Sequence, residues 1–149
     1  MTKVSPRSAA QLAATVPTVD CEPVRRGNYR NAELLAKVRE LPCVHCGAWP
    51  VQACHSNRLS HGKGKGIKAS DAAIMAICAT EHMQLDNGTK YGRQELETLT
   101  DAYICKTYAG LEMLGFLHIP ADVWKLHGNA EIALELIRLQ EEGALWVHF

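Results

Sequence analysis

Between Cys43 and Asp86 the chain concentrates side chains that bind metal ions and move protons: Cys43, Cys46, His55, Cys78, Glu81, His82 and Asp86. Cys43-x-x-Cys46 followed by Gly47 is a turn that offers two thiolates to one ion, and Cys78 is the natural third ligand, a set that suits structural zinc. The fourth ligand is open. A second Cys-x-x-Cys would place cysteine where Glu81 stands, so Glu81 through an oxygen, His82 or His45 could complete the shell; alternatively, the three cysteines are small buried hydrophobes with no ion at all. His82 and Asp86 stand four residues apart, which on a helix puts their Cβ atoms on one face, roughly 5–6 Å apart. An imidazole and a carboxylate with open positions left for water and phosphate suit a divalent cation such as magnesium, manganese or zinc. Taken alone, such a pair is more often an exposed helix surface.

Context gives the pair its weight. His55 is followed by Ser56, Asn57 and Arg58, and then by a loop with no acid until Asp71. Arg58, Lys63, Lys65 and Lys68 are interleaved with Gly62, Gly64 and Gly66, so the backbone can approach phosphates while the cations neutralise them. The bland alternative is a solvated loop. The glycines do not form a phosphate-binding Gly-x-x-x-x-Gly-Lys-Ser/Thr pattern, which disfavours nucleotide hydrolysis. Trp49 is the only aromatic residue between Tyr29 and Tyr91, which disfavours a single-strand RNA module built on stacking.

The elements that would hold these residues can be read from periodicity. Leu34, Leu35 and Val38 recur at helical spacing within Arg30 to Glu40, and Pro42 stops that helix just before Cys43. Val51 to Ala53 suits a short strand, Asn57 to Ser70 a polar loop, Ala72 to Ile77 a second strand, and Ala79 to Asp86 a helix ending near Asn87-Gly88. Beyond Gly92, Leu96, Leu99, Tyr103, Tyr108, Leu111 and Leu114 form one helical stripe, and Ile132 to Leu139 another. Pro120 with Asp122 starts a further helix. The expected fold class is α+β: a flexible arm over 1–28, a strand-strand-helix core over 29–90 and a helical extension over 91–149 packed on the same domain.

A length of 149 residues with 47% hydrophobic and 21% charged residues fits one globular domain. No apolar leader and no membrane-length apolar run is visible, so a cytoplasmic protein is expected and the Cys43-x-x-Cys46 knuckle reads as metal-binding rather than as part of a disulfide framework, while Cys21 and Cys105, without metal-like spacing, read as core. The zero net charge hides an asymmetry: residues 1–91 hold twelve Lys and Arg against seven acids, and residues 92–149 four against nine. A basic half backed by an acidic helical scaffold is consistent with a nucleic-acid face.

Ala53-Cys54-His55-Ser56-Asn57, the run from His61 through the Gly-Lys repeats to Asp71, and Ile77-Cys78-x-x-x-His82-x-x-x-Asp86-Asn87-Gly88 together resemble the small phage and prophage HNH-like nucleases, including recombination-associated ones. The resemblance spans Arg30 to Gly88. It implies a ββα-metal core with a zinc-knuckle-like turn and hydrolysis of DNA phosphodiesters by one divalent ion, during recombination or processing of phage DNA in a bacterial host. Within it His55 matches the general base, with Asp71 the nearest residue to orient it. His82 and Asp86 match the helical metal ligands, and Arg58, His61, Lys63, Lys65 and Lys68 fall in the DNA-facing loop. Three positions depart from the pattern: Cys54 stands where Asp is frequent, Glu81 where Cys is usual, and the family's middle position, usually Asn or another polar residue on the second strand, falls near Ala73. The competing expectation is a non-catalytic zinc-knuckle DNA-binding or adaptor protein, in which Cys43, Cys46, Cys78 and His82 close one structural site.

Overall fold

A computed structural model describes residues 29–64 and 66–147. The N-terminal arm expected over 1–28 and Lys65 of the basic loop lie outside the described residues. Helix α1 (Ala32–Val38) opens at Asn31, whose side-chain oxygen accepts the amide of Leu34 at 3.0 Å and satisfies one of the unpaired donors of the first turn. That cap starts α1 two residues later than the apolar spacing suggests. Strands β1 (Gln52–His55) and β2 (Ile74–Ile77) pair antiparallel, with Gln52 opposite Ile77 and His55 opposite Ile74. Between them the polar loop contains a 3-10 turn, Leu59–His61. Helix α2 (Ala79–Asn87) follows β2 directly. The long α3 (Arg93–Met113), a 3-10 turn (Ala121–Lys125) and α4 (Gly128–Glu141) complete the described chain. Among the described residues the architecture is mixed α+β, four α-helices and a two-stranded sheet.

The two edges of that sheet are treated differently. All four residues of β2 are buried. Its outward-facing backbone groups at Ala76 are both satisfied: the amide donates to the Thr107 hydroxyl of α3 at 3.0 Å, and the carbonyl accepts from the Val44 amide at 2.9 Å. Covering a strand edge in this way removes the unpaired row that would otherwise recruit another chain. Tyr108, fully buried one residue further along α3, donates to the Ala72 carbonyl at 2.6 Å. Helix α3 also runs close to the segment after α1, since a Cβ at Gly110 would come within 2.9 Å of Leu41. One apolar cluster, from Leu34 through β2, α3 and α4 to Leu145, unites these elements. With β2 closed off by α3, the outer side of β1 is left for chemistry. No helix among the described residues is long and apolar enough to cross a membrane.

Candidate functional site

The cysteine turn forms as its spacing predicts. The Cys43 amide donates to the Ala48 carbonyl at 2.9 Å and the Gly47 amide to the Cys43 carbonyl at 2.8 Å, with Gly47 at a φ of 78° that a side chain would resist. Cys78, the residue preceding α2, joins it. The three sulfurs lie within 4.8 Å of one another, and the Cys46 and Cys78 sulfurs are 3.8 Å apart. Thiolates on a tetrahedral zinc, with bonds near 2.3 Å, are separated by roughly 3.8 Å, so the group can hold a metal such as zinc with little rearrangement. Burial works against the Cys43 thiolate, but backbone amides of Cys46, Cys78 and His45 outweigh it and lower the thiol below its ordinary value. This charge-stabilising arrangement suits a ligand better than an inert core cysteine.

Glu81 is not part of that group. Its side chain is buried, and Oε2 accepts hydrogen bonds from the hydroxyls of Tyr91 (2.8 Å) and Tyr103 (2.7 Å). Its other oxygen faces His45 Nε2 at 3.7 Å. Burial, and then the neighbouring Glu81, raises the Tyr103 hydroxyl above its usual range and keeps it a donor. The expectation of Glu81 as a zinc ligand is therefore corrected: two tyrosines from beyond α2 claim the carboxylate. His82 is grouped with Cys54 and Asp86 rather than with the three thiols of Cys43, Cys46 and Cys78.

His82 instead faces β1. Its Nδ1 lies 2.6 Å from the Gln52 side-chain oxygen, and its Nε2 lies 3.1 Å from Asp86, one turn further along α2. The second Asp86 oxygen accepts from the Asn57 side-chain amide at 3.0 Å. His55, at the end of β1, directs Nε2 to Asp71 at 2.7 Å. Asp71, 3% exposed, is held by two hydrogen bonds to the segment that leads into α1. Its other oxygen accepts the Asn31 amide at 2.7 Å, its own amide donates to the Tyr29 carbonyl at 3.1 Å, and Arg30 ties the preceding loop by donating to the Ala69 carbonyl at 3.1 Å. The loop thus returns Asp71 to His55, sixteen positions earlier, because the start of α1 anchors the loop's end. A cleft of about 380 Å³ along the outer side of β1 is lined by His55, Asn57, Lys63, Lys68, His82 and Asp86, with Arg39 contributed by α1.

Two residues expected to face DNA are used differently. His61 is 0% exposed, with Nδ1 2.7 Å from the Ser56 hydroxyl. A side chain sealed from solvent cannot touch a duplex, so its assignment as a DNA contact is corrected. Arg58 donates to Asp101 of α3 at 2.5 Å and lies 3.9 Å from Glu97. Burial raises the Asp101 carboxyl, and Arg58 partly counters that by holding it ionised. Breaking a fully buried ion pair costs about 3–5 kcal/mol. With the Arg58 side chain 25% exposed, Arg58→Ala is expected to destabilise the fold by about 2 kcal/mol, read as a lower midpoint in urea unfolding. An unchanged midpoint combined with weakened DNA binding would return Arg58 to the phosphate-contacting set.

Spacing within the loop did not single out two further groups: Arg39, which lines this cleft, and Cys54, which lines a second pocket with Met75, Leu85 and Leu96. Arg39 was hidden because it stands outside the loop, at the C-terminal cap of α1. Cys54 has its sulfur within 4.8 Å of the ligand atoms of His82 and Asp86. Strand alternation contains the signal for Cys54, because Gln52 and Cys54 must share the face of β1 opposite that of His55. Burial, and then Asp86, pushes the Cys54 thiol up to about 12, so without a cation it is a neutral thiol. Comparison with family models, with characterised proteins and with solved structures returns no match to this chain.

Proposed function

We propose that this protein is a metal-dependent DNA endonuclease of the HNH type, acting in recombination or processing of phage DNA. One observation carries the proposal: the His55–Asp71 pair opens on the same cationic cleft as the His82–Asp86 pair. A general base oriented by a buried carboxylate, a place for a divalent ion and side chains that hold phosphate are the parts that phosphodiester hydrolysis requires.

With Asp71 accepting from Nε2, the proton of the neutral imidazole resides on that nitrogen and Nδ1 is left as the base. His55 then takes a proton from water as the oxygen attacks phosphorus in line with the departing 3′ oxygen. Asp71 holds the ring and stabilises the imidazolium that forms. Lys63, Lys68 and Arg39 grip the phosphodiester on either side of the scissile bond. A divalent ion held by His82 and Asp86 would supply charge stabilisation to the phosphate and the leaving oxygen.

Supercoiled plasmid supplies the test. The purified protein is expected to convert it to the nicked form only with an added divalent cation, and His82→Ala combined with Asp86→Ala is expected to abolish conversion while metal bound at the three thiols is retained. Failure to nick with magnesium, manganese or zinc, or nicking that survives chelation of every metal, would reject the proposal.

A further inference from the structure

We infer that Cys54 is a third protein ligand of the ion held by His82 and Asp86, and that its sulfur makes this centre select a thiophilic divalent cation, zinc foremost, over magnesium. The inference rests on the proposal above only in requiring that His82 and Asp86 hold an ion.

The geometry is that of a ligand set awaiting a small contraction. The sulfur of Cys54, a ring nitrogen of His82 and a carboxylate oxygen of Asp86 lie within 4.8 Å of one another, with the closest nitrogen–oxygen pair at 3.1 Å. Donors on a tetrahedral zinc with bonds of about 2.0–2.3 Å stand roughly 3.3–3.8 Å apart. An ion placed among the three would push one pair apart by a few tenths of an ångström and draw the sulfur in.

Each donor is also aimed by a neighbour. The Gln52 side-chain oxygen lies 2.6 Å from His82 Nδ1, which fixes the proton there and leaves Nε2 with its lone pair toward the group. Asn57 holds the outer Asp86 oxygen at 3.0 Å and leaves Oδ2 facing inward. Metal-ligating histidines and carboxylates are oriented by such outer partners. Gln52 and Cys54 alternate onto one side of β1, so the strand presents the ligand and the residue that orients its companion together. Cys54 is 1% exposed, and its sulfur is 3.6 Å from the carbonyl of its own neighbour His55, a weak contact for a buried thiol. Cys54 belongs to the apolar core and lines a pocket with Met75, Leu85 and Leu96, yet its sulfur is also within reach of an imidazole and a carboxylate.

Coordination exchanges the S–H bond for an S–metal bond and releases the proton to solvent. Three protein ligands then leave one position for water or a phosphate oxygen, the pattern of hydrolytic zinc. Magnesium prefers six oxygen donors in near-ideal octahedral geometry and gains little from sulfur.

Cadmium-113 NMR of the full chain, in the wild type and in Cys54→Ser, Cys54→Asp and His82→Ala, tests this directly. Two resonances are expected from the wild type, one from the three-thiol group and one from the Cys54 centre. Cys54→Ser should move or remove only the second, with the first reporting that the fold persists. Cys54→Asp should keep an ion but raise the affinity for magnesium relative to zinc by more than about tenfold, at least the effect of losing an outer partner of a metal ligand. If both resonances are unchanged in Cys54→Ser while His82→Ala removes one, Cys54 is not a ligand and the His82–Asp86 ion stands without it. A single wild-type resonance that His82→Ala leaves in place would overturn both this inference and the nuclease proposal.

Discussion

Replacing His55 with alanine is expected to slow metal-dependent plasmid nicking by about 10²–10⁴-fold, the usual contribution of a positioned general base, with little loss of folded stability. Stability should survive because Asp71 keeps the Asn31 amide at 2.7 Å after the imidazole is gone, so the buried carboxylate is not left bare. Asp71→Asn offers a finer probe. An amide can still contact Nε2 but no longer selects one tautomer or stabilises a charged ring, so its rate should fall between those of the wild type and His55→Ala. The pH dependence of that rate should change as well, which loss of packing alone would not produce. A normal nicking rate in His55→Ala would remove the base from the mechanism and leave the cleft as a binding surface.

The second large effect concerns the three-thiol group. An ion there joins Cys43 and Cys46, which follow α1, to Cys78, which leads into α2. Closing a loop of about 33 residues is worth about 4 kcal/mol in the chain-entropy treatment of cross-links, and structural zinc contributes more where the site is absent from the unfolded chain. Stripping the metal with a strong chelator, or introducing Cys43→Ser, is therefore expected to lower the melting temperature by roughly 10–20 °C. Nicking should fall with it. Cys78 sets where α2 begins, and α2 places His82 and Asp86 against β1, so a loosened helix start misplaces both. Elemental analysis that finds no metal, together with a melting temperature indifferent to chelator, would show that the three cysteines hold no ion.

The residues that survive as a site differ in how legible they were. The Cys-x-x-Cys turn and the four-residue step from His82 to Asp86 are short-range features, and backbone geometry alone converts such spacing into proximity. Asp71 was the nearest acid to follow His55, but its selection depended on Asn31 and Tyr29 holding the far end of the loop. His61 and Arg58 had the composition of a phosphate-binding loop, yet α3 arrives over that loop with Asp101 and Glu97 and takes the arginine for itself. Glu81 was similarly claimed by Tyr91 and Tyr103, residues 10 and 22 positions downstream. Each of these outcomes turned on a partner far along the chain.

The amino-acid sequence by itself determined the order of strand, loop, strand and helix, the cysteine turn, and the presence of histidine and carboxylate pairs, because apolar period and i to i+4 spacing act within a few residues. Only the tertiary structure decided which of those polar groups meet. Burying β2 beneath α3 commits Arg58 to the acids of α3, leaves the outer side of β1 open, and brings His82 and Asp86 both to the cleft that His55 lines and to within reach of the sulfur of Cys54. The physical reason is that a charged side chain goes to the partner that packing brings within reach, and packing is fixed by contacts between residues remote in sequence.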